Sequence, residues 1–323
     1  LETIREFAWD QLPEPDEVGL RDRHLAYFVA LAERAEPELR GPDQAAWLRR
    51  LTAEQADIRA ALAWAQEADR DESMLRLAAA LKRRFWHDAG GLGEGLRWLE
   101  ASLAVAADAP AALRVKAQQR AAWIVWEMGD VDRSEELFEA SLAAADDDDH
   151  PSRFEALIGL SHRALRTGGP ELDAAAERMA EAIEHARHDG TPGALVEPLI
   201  VAGQLAQARR DLAQARAHFE EALDVARAAG DVWGAASALT QCGALALAAG
   251  EHSHAEALLA ESVRLLIESG DRGVVFAHAT GALAQALTAQ GKLEAARSRL
   301  REGGGAVGGM ENPPGDSFLL EGA

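Results

Sequence analysis

The stretch Gly243-Ala244-Leu245-Ala246-Leu247-Ala248-Ala249-Gly250-Glu251-His252-Ser253-His254-Ala255-Glu256-Ala257-Leu258-Leu259-Ala260-Glu261-Ser262 contains the plan of the whole chain. Around Gly250 stand a small residue seven places before, another five places after, then a large apolar residue at Leu259 and a further small one at Ser262. Elsewhere in the 323 residues the same glycine slot recurs at Gly90, Gly129, Gly168 and Gly291, with Arg210 where a sixth would fall. The small residue that follows is Gly95, Ser134, Ala175, Ala215, Ala255 and Ala296, in steps of 39, 41, 40, 40 and 41 residues. Large apolar residues come next at Leu99, Phe138, Met179, Phe219, Leu259 and Leu300, then small ones at Ser102, Ser141, Ala182, Ala222 and Ser262. A period of this length marks a stacked repeat, each unit burying its apolar face against its neighbours.

Spacings of four and then three put these residues on one helix face, where a small residue admits the neighbouring helix and a large one fills the groove beside it. Ala122, Ser161, Gly203, Gly243 and Ala284, seven before the glycine slot, give the preceding helix its own close-approach point. Each unit is therefore two antiparallel helices. Glycine suits the turn because it takes the left-handed conformation that stops a helix. Arg210 accordingly predicts a different turn, and Arg83, in the close-approach slot of the Gly90 unit, predicts looser packing there. A second turn recurs at Asp189-Gly190, Gly230-Asp231 and Gly270-Asp271, with aspartate as the N-cap in the last two. Between turns the chain is rich in Ala, Leu, Glu and Arg, all good helix formers, and no alternating strand pattern occurs. The expectation is an all-α, right-handed superhelix of antiparallel helix pairs. Five units fit between Ala111 and Glu302, with an irregular turn at Gly168-Gly169-Pro170.

These residues resemble the tetratricopeptide repeat (TPR), whose usual unit is about 34 residues. Here the helices are longer by roughly a turn. Residues 1 to 110 are also helical but divergent, and Trp9, Trp47, Trp64, Trp86, Trp98, Trp123 and Trp126 would enlarge the core at that end. Gly41-Pro42-Asp43-Gln44 reads as a turn and N-cap before a helix from Ala45 to Ala68, with Trp47, Leu48, Leu51, Ile58, Leu62 and Ala65 as its stripe.

The segment from Leu1 to Ala8 is similar to the last helix of the winged-helix segment that follows the nucleotide-binding (NB-ARC) domain in bacterial regulators of the signal-transducing ATPase (STAND) type. Arg21-Asp22-Arg23-His24-Leu25-Ala26-Tyr27-Phe28, Trp47-Leu48, Ile58 to Ala65 and Leu75 to Leu81 resemble the linker that follows it. The resemblance implies a C-terminal sensor region joined to an ATPase switch and an N-terminal effector, most often DNA-binding, otherwise a kinase or nucleotide cyclase. It divides the chain into 1–40, the end of the winged helix with linker helices; 41–110, divergent helical repeats; 111–302, the TPR-like array; and 303–323, a flexible Gly/Pro-rich tail. The sequence holds no Gly-x-x-x-x-Gly-Lys-Ser/Thr phosphate loop and starts at Leu1, so it reads as the C-terminal portion of a longer protein. ATP and Mg are expected only in the ATPase domain, and no cofactor in this chain.

A net charge of −21 argues against direct nucleic-acid binding, which depends on basic side chains displacing counterions, and against an anionic membrane surface. No apolar run reaches the about 20 residues that span a bilayer. No secretory signal opens the chain, and one cysteine, Cys242, excludes an intramolecular disulfide, so the cytoplasm is the expected compartment. Cys242, beside Gly243, reads as a buried apolar residue rather than a reactive thiol.

Candidate chemistry is sparse. Asp146 to Asp149 form a contiguous acidic run that repels itself and stays solvated, without the spaced ligands of a calcium loop. His185 with His188, and His252 with His254, lack the further ligands zinc needs and read as exposed polar residues. Gly90-Gly91-Leu92-Gly93-Glu94-Gly95 has no preceding strand and no lysine, so it reads as a turn rather than a phosphate cradle. No nucleophile elbow or triad-like set stands out, and the chain is not expected to be an enzyme.

The concave surface remains. In tetratricopeptide arrays the first helix of each unit lines it, and the resemblance, carried over by offset, selects Gln119, Trp123, Trp126, His162, Arg166, Gln204, Gln207, Thr240 and Gln285. Such aromatic, amide and hydroxyl groups suit a peptide or small polar ligand. Trp123 and Trp126 could equally be core. The expected partners are thus a protein or peptide, a small-molecule inducer, and the ATPase domain of the same polypeptide. A scaffold that joins proteins without switching is the alternative.

Overall fold

The computed structural model of the chain describes residues 14–39, 43–88, 91–145, 150–189, 193–270 and 273–307, and all regular structure among them is helical. An N-terminal layer comprises α1 (Glu14–Glu38), α2 (Gln44–Ala53), α3 (Gln55–Glu67), α4 (Asp71–Ala80), α5 (Arg83–Asp88) and α6 (Leu92–Val105). Five antiparallel pairs follow: α7 (Ala111–Glu127) with α8 (Val131–Ala144), α9 (His150–Thr167) with α10 (Glu171–Asp189), α11 (Val196–Ala208) with α12 (Leu212–Ala229), α13 (Val232–Ala248) with α14 (His252–Glu268), and α15 (Val274–Ala289) with α16 (Leu293–Val307). The first helices α7, α9, α11, α13 and α15 pack in series on one another and form the inner layer, with the second helices outside. This is a TPR-like solenoid.

Its turns are more uniform than the sequence predicts. At Gly250 the backbone N–H donates to Leu247 O at 3.0 Å and that of Glu251 to Ala246 O at 2.9 Å, the paired bonds of a left-handed helix stop. Arg210 makes the same turn: φ is 65°, its N–H donates to Gln207 O and that of Asp211 to Ala206 O, both at 2.9 Å. The different turn expected there does not occur, because the helix ends on either side dictate the geometry and the arginine accepts the strain. Asp231 caps α13 through Gly234 N–H at 2.8 Å. The N-cap of α15 is Gly273, and Asp271 lies outside the described residues.

Close approach follows the repeat in the later pairs. A methyl at Gly203 would lie 2.4 Å from the Phe219 ring, and one at Gly243 would lie 2.5 Å from Leu259. In the pair α7–α8 the contact is polar, Ser134 Oγ donating to Ala122 O at 2.9 Å. On α9 the glycine pressed against a ring is Gly159, facing Phe138 of the preceding pair, while the Ser161 hydroxyl donates back to Leu157 O. The looser packing expected at Arg83 is also corrected. Trp86 is fully buried there and a methyl at Gly95 would come 2.5 Å from its ring, so the tight contact has moved along the helix pair rather than opened.

The helix expected from Ala45 to Ala68 breaks at Glu54, which lets α3 pack on α1 while α2 turns toward α5. Leu48, Leu51, Ile58, Leu62 and Ala65 are buried as the stripe requires. Trp47, Trp64 and Trp98 pack against the core of this layer, and Phe85 meets Trp86 edge to face at 5.0 Å. At the other end α16 runs through Gly303-Gly304-Gly305 to Val307, past the predicted stop. Glycine costs a helix about 1 kcal/mol per residue relative to alanine but does not forbid it. Residues 1–13, which include Trp9 and the winged-helix resemblance, and 40–42, 89–90, 146–149, 190–192 with Gly190 of the second turn, 271–272 and 308–323, lie outside the described residues. Among the described residues no helix is long and apolar enough to cross a membrane.

Candidate ligand groove on the concave face

The N-terminal layer and the array share a groove of about 130 Å³ that is open to solvent. From the N-terminal layer come Leu39, just after α1, Gln44, the first residue of α2, and Lys82 and Arg83 at the start of α5. The inner layer of the array supplies Arg120 and Trp123 of α7, Glu155 of α9, Gly193, Val196 and Glu197 at the start of α11, and Asp231 and Trp233 at the start of α13. Three cations therefore share the groove with three carboxylates and two indoles.

Trp123 is the hub. Its ring is 6% exposed and meets Phe138, Trp126 and His162 edge-on at 5.1, 6.0 and 5.4 Å. Its Nε1 donates to Glu155 Oε1 at 3.2 Å, and the Arg83 guanidinium lies 5.2 Å above the ring centroid, a cation–π distance. Arg120 donates to Glu155 at 2.5 Å and to Glu36 of α1 at 3.1 Å, and Lys116 also pairs with Glu36. Charge-assisted bonds of this kind tie α1, α7 and α9 into one network.

Of the residues selected by offset, only Trp123 lines the groove. Trp126 and His162 adjoin it as half-buried neighbours, with His162 Nδ1 3.0 Å from Ile158 O. Gln119 is 2% exposed and turns away, donating to Ser152 O at 2.6 Å with Ser141 Oγ at 3.5 Å. Thr240, 4% exposed, donates or accepts with Ser262 Oγ at 2.9 Å and donates to Ala236 O. Both stand ten before the glycine slot and meet the small residue twelve after it, so this offset is a polar link inside the pair and not a ligand contact. Gln204 and Gln207 are half-buried, and Arg166 and Gln285 are exposed, all outside the groove.

Arg83, Arg120, Glu155, Glu197, Asp231 and Trp233 were not selected. Trp233 could have been, as the single tryptophan beyond residue 126, and Glu155 and Glu197 share one offset, thirteen before the glycine slot. Elsewhere, Cys242 is half-buried and its thiol is pushed up to about 11 by desolvation. Among the described residues no group of three His, Cys, Asp or Glu converges as metal ligands.

Residues 117–305 match the MalT-like TPR region family. The chain belongs to that family. Proteins named as HTH-type transcriptional regulators in Mycobacterium bovis and Mycobacterium tuberculosis are 27% identical over 233 residues, which is 72% of this MalT-like chain. It spans 22% of the length of those relatives. Two solved structures share the fold. The Rap protein complexed with competence and sporulation factor aligns with TM-score 0.60 and 13% identity over 82% of this chain and 76% of its own. A STAND protein with a tetratricopeptide repeat sensor, from Pyrococcus horikoshii, aligns with TM-score 0.57 and 12% identity over 97% of this chain and 49% of its own.

Proposed function

We propose that this MalT-like TPR region is the signal-sensing and partner-binding module of a bacterial ATPase-type transcriptional regulator, and that a peptide or protein segment, or a small inducer, occupies the concave groove. The observation that carries this reading is the mixed origin of the groove. Lys82 and Arg83 of the N-terminal layer face Glu197, Asp231 and Trp233 of the array, so an occupant touches both. A ligand shifts an equilibrium only by its differential affinity for two arrangements, and a site shared between two layers supplies that difference. The fold shared with a STAND sensor and the sequence likeness to HTH-type regulators support an ATPase switch and a transcriptional output in the parent protein. ATP and Mg belong to that switch. DNA contact belongs outside this chain, since a net charge of −21 repels phosphate.

The test is a reporter fused to the parent regulator's own target promoter, with Glu197→Lys and Trp233→Ala in the groove. Loss of the response to signal, with unchanged nucleotide binding by the ATPase domain, is the expected result. A normal response from both variants would refute the groove reading. Loss of partner capture with no change in transcription would make the chain a passive scaffold.

A further inference from the structure

Arg83 sits between two partners that it does not fully satisfy. One is the face of Trp123. The other is Glu127, one turn further along the same helix, whose Oε2 is buried and accepts no hydrogen bond among the described residues, with Arg83 Nε 3.8 Å away. At that distance the two form an ion pair without a hydrogen bond, and a small shift would close one. Trp123 and Glu127 are four residues apart and so share one face of α7.

We infer that the Trp123 face is a binding site for a cationic side chain, and that Arg83 is its internal stand-in, displaced onto Glu127 when a basic peptide enters. The inference rests on the concave-groove reading and names its ligand class. Three observations support a cation over an anion. First, the site has already selected a guanidinium at cation–π distance. Second, exchanging one cation for another keeps the groove's balance of three cations and three carboxylates, whereas an acidic ligand would place a fourth carboxylate beside Glu155, Glu197 and Asp231. Third, the field of a chain with net charge −21 concentrates cations at a cleft and repels anions. The displaced Arg83 offsets its own loss, because its long ion pair with Glu127 shortens to a hydrogen bond that the buried oxygen lacks. Arg83 belongs to α5 and Glu127 to α7, so the exchange also draws the N-terminal layer onto the array.

Calorimetric titration of the 323-residue chain with two blocked hexapeptides, one alternating leucine with arginine and one alternating leucine with glutamate, tests this. The arginine peptide should bind more tightly than the glutamate peptide. Arg83→Ala should tighten arginine-peptide binding severalfold by removing the competitor, and Trp123→Leu should weaken it by on the order of tenfold. Glu127→Gln should weaken it severalfold although it touches no ligand, because Arg83 then has nowhere to go. Weaker arginine-peptide binding in Arg83→Ala would overturn the exchange and leave the concave groove standing with Arg83 as part of it, and preference for the glutamate peptide would overturn it and make the groove an anion site. Binding of neither peptide would count against both readings.

Discussion

Arg210 holds φ at 65° where four other pair turns place glycine, and a non-glycine residue in that region costs about 1–2 kcal/mol. Glycine would in turn lose about 0.4–1 kcal/mol to the greater entropy of the unfolded chain, so Arg210→Gly should stabilise by roughly 0.5–1 kcal/mol. The urea midpoint measures this, and a lower midpoint would show that the side chain contributes more than the strain costs. Gly203→Ala has the opposite sign. Its methyl would meet the fully buried Phe219 ring at 2.4 Å, and overpacking of that kind costs about 1–3 kcal/mol. Cys242 tests burial directly. With its thiol pushed up to about 11, alkylation by iodoacetamide should stay slow at pH 8 and accelerate only as the pH approaches that value; rapid labelling at neutral pH would mean the helix opens there. The close-approach slots at Gly203 and Gly243 were legible from spacing alone, because a small residue opposite a large one is a local signature. Arg210 was not, since the backbone bonds of the turn outweigh the preference of one side chain.

Between elements, ion pairs link neighbouring outer helices at nearly constant separation along the chain. Arg187 of α10 meets Glu221 of α12 at 2.8 Å, Arg227 of α12 meets Glu261 of α14 at 2.9 Å, and Lys292, just before α16, meets Glu256 of α14 at 2.6 Å. All are exposed, and such pairs contribute about 0–1 kcal/mol each, so they set register more than stability. The tie between α3 and α6 is better sheltered: Arg59 donates to both oxygens of Glu94 at 2.7 and 2.5 Å. Arg59 holds the Glu94 carboxyl below the ordinary carboxylate range. The stabilisation is therefore present at neutral pH and is lost as pH falls from the unfolded carboxylate value of about 4.3 through the lower folded one. Chemical denaturation of the wild type and Glu94→Gln should show a gap at pH 7 that narrows as the pH falls below about 4.3. An undiminished gap at pH 3 would remove the ion pair as its cause.

Across the whole molecule, a solenoid adds stability unit by unit, each through its interface with the next. Removing residues 273–323 should strip Phe276, Leu283 and Leu287 from the cluster that holds Leu259, Val263 and Leu266, lower the urea midpoint and leave the preceding pairs helical by circular dichroism. Complete unfolding would show that the pairs are not additive. The sequence by itself determined the number of helix pairs, their glycine turns and, in the later pairs, the facing of small against large residues, because each is written in spacings of three, four and seven along a single helix or its immediate partner. Only the tertiary structure decided which residues look into the groove. Residues as far apart as Leu39 and Trp233 line it because the N-terminal layer packs on α7 and the first helices of the later pairs follow α7 in series. With helices a turn longer than the usual repeat, the offsets that face a ligand elsewhere bring Gln119 and Thr240 against Ser141 and Ser262 instead. Helical periodicity fixes a side chain's position on its own helix, whereas the direction that position faces depends on how the whole stack is rotated.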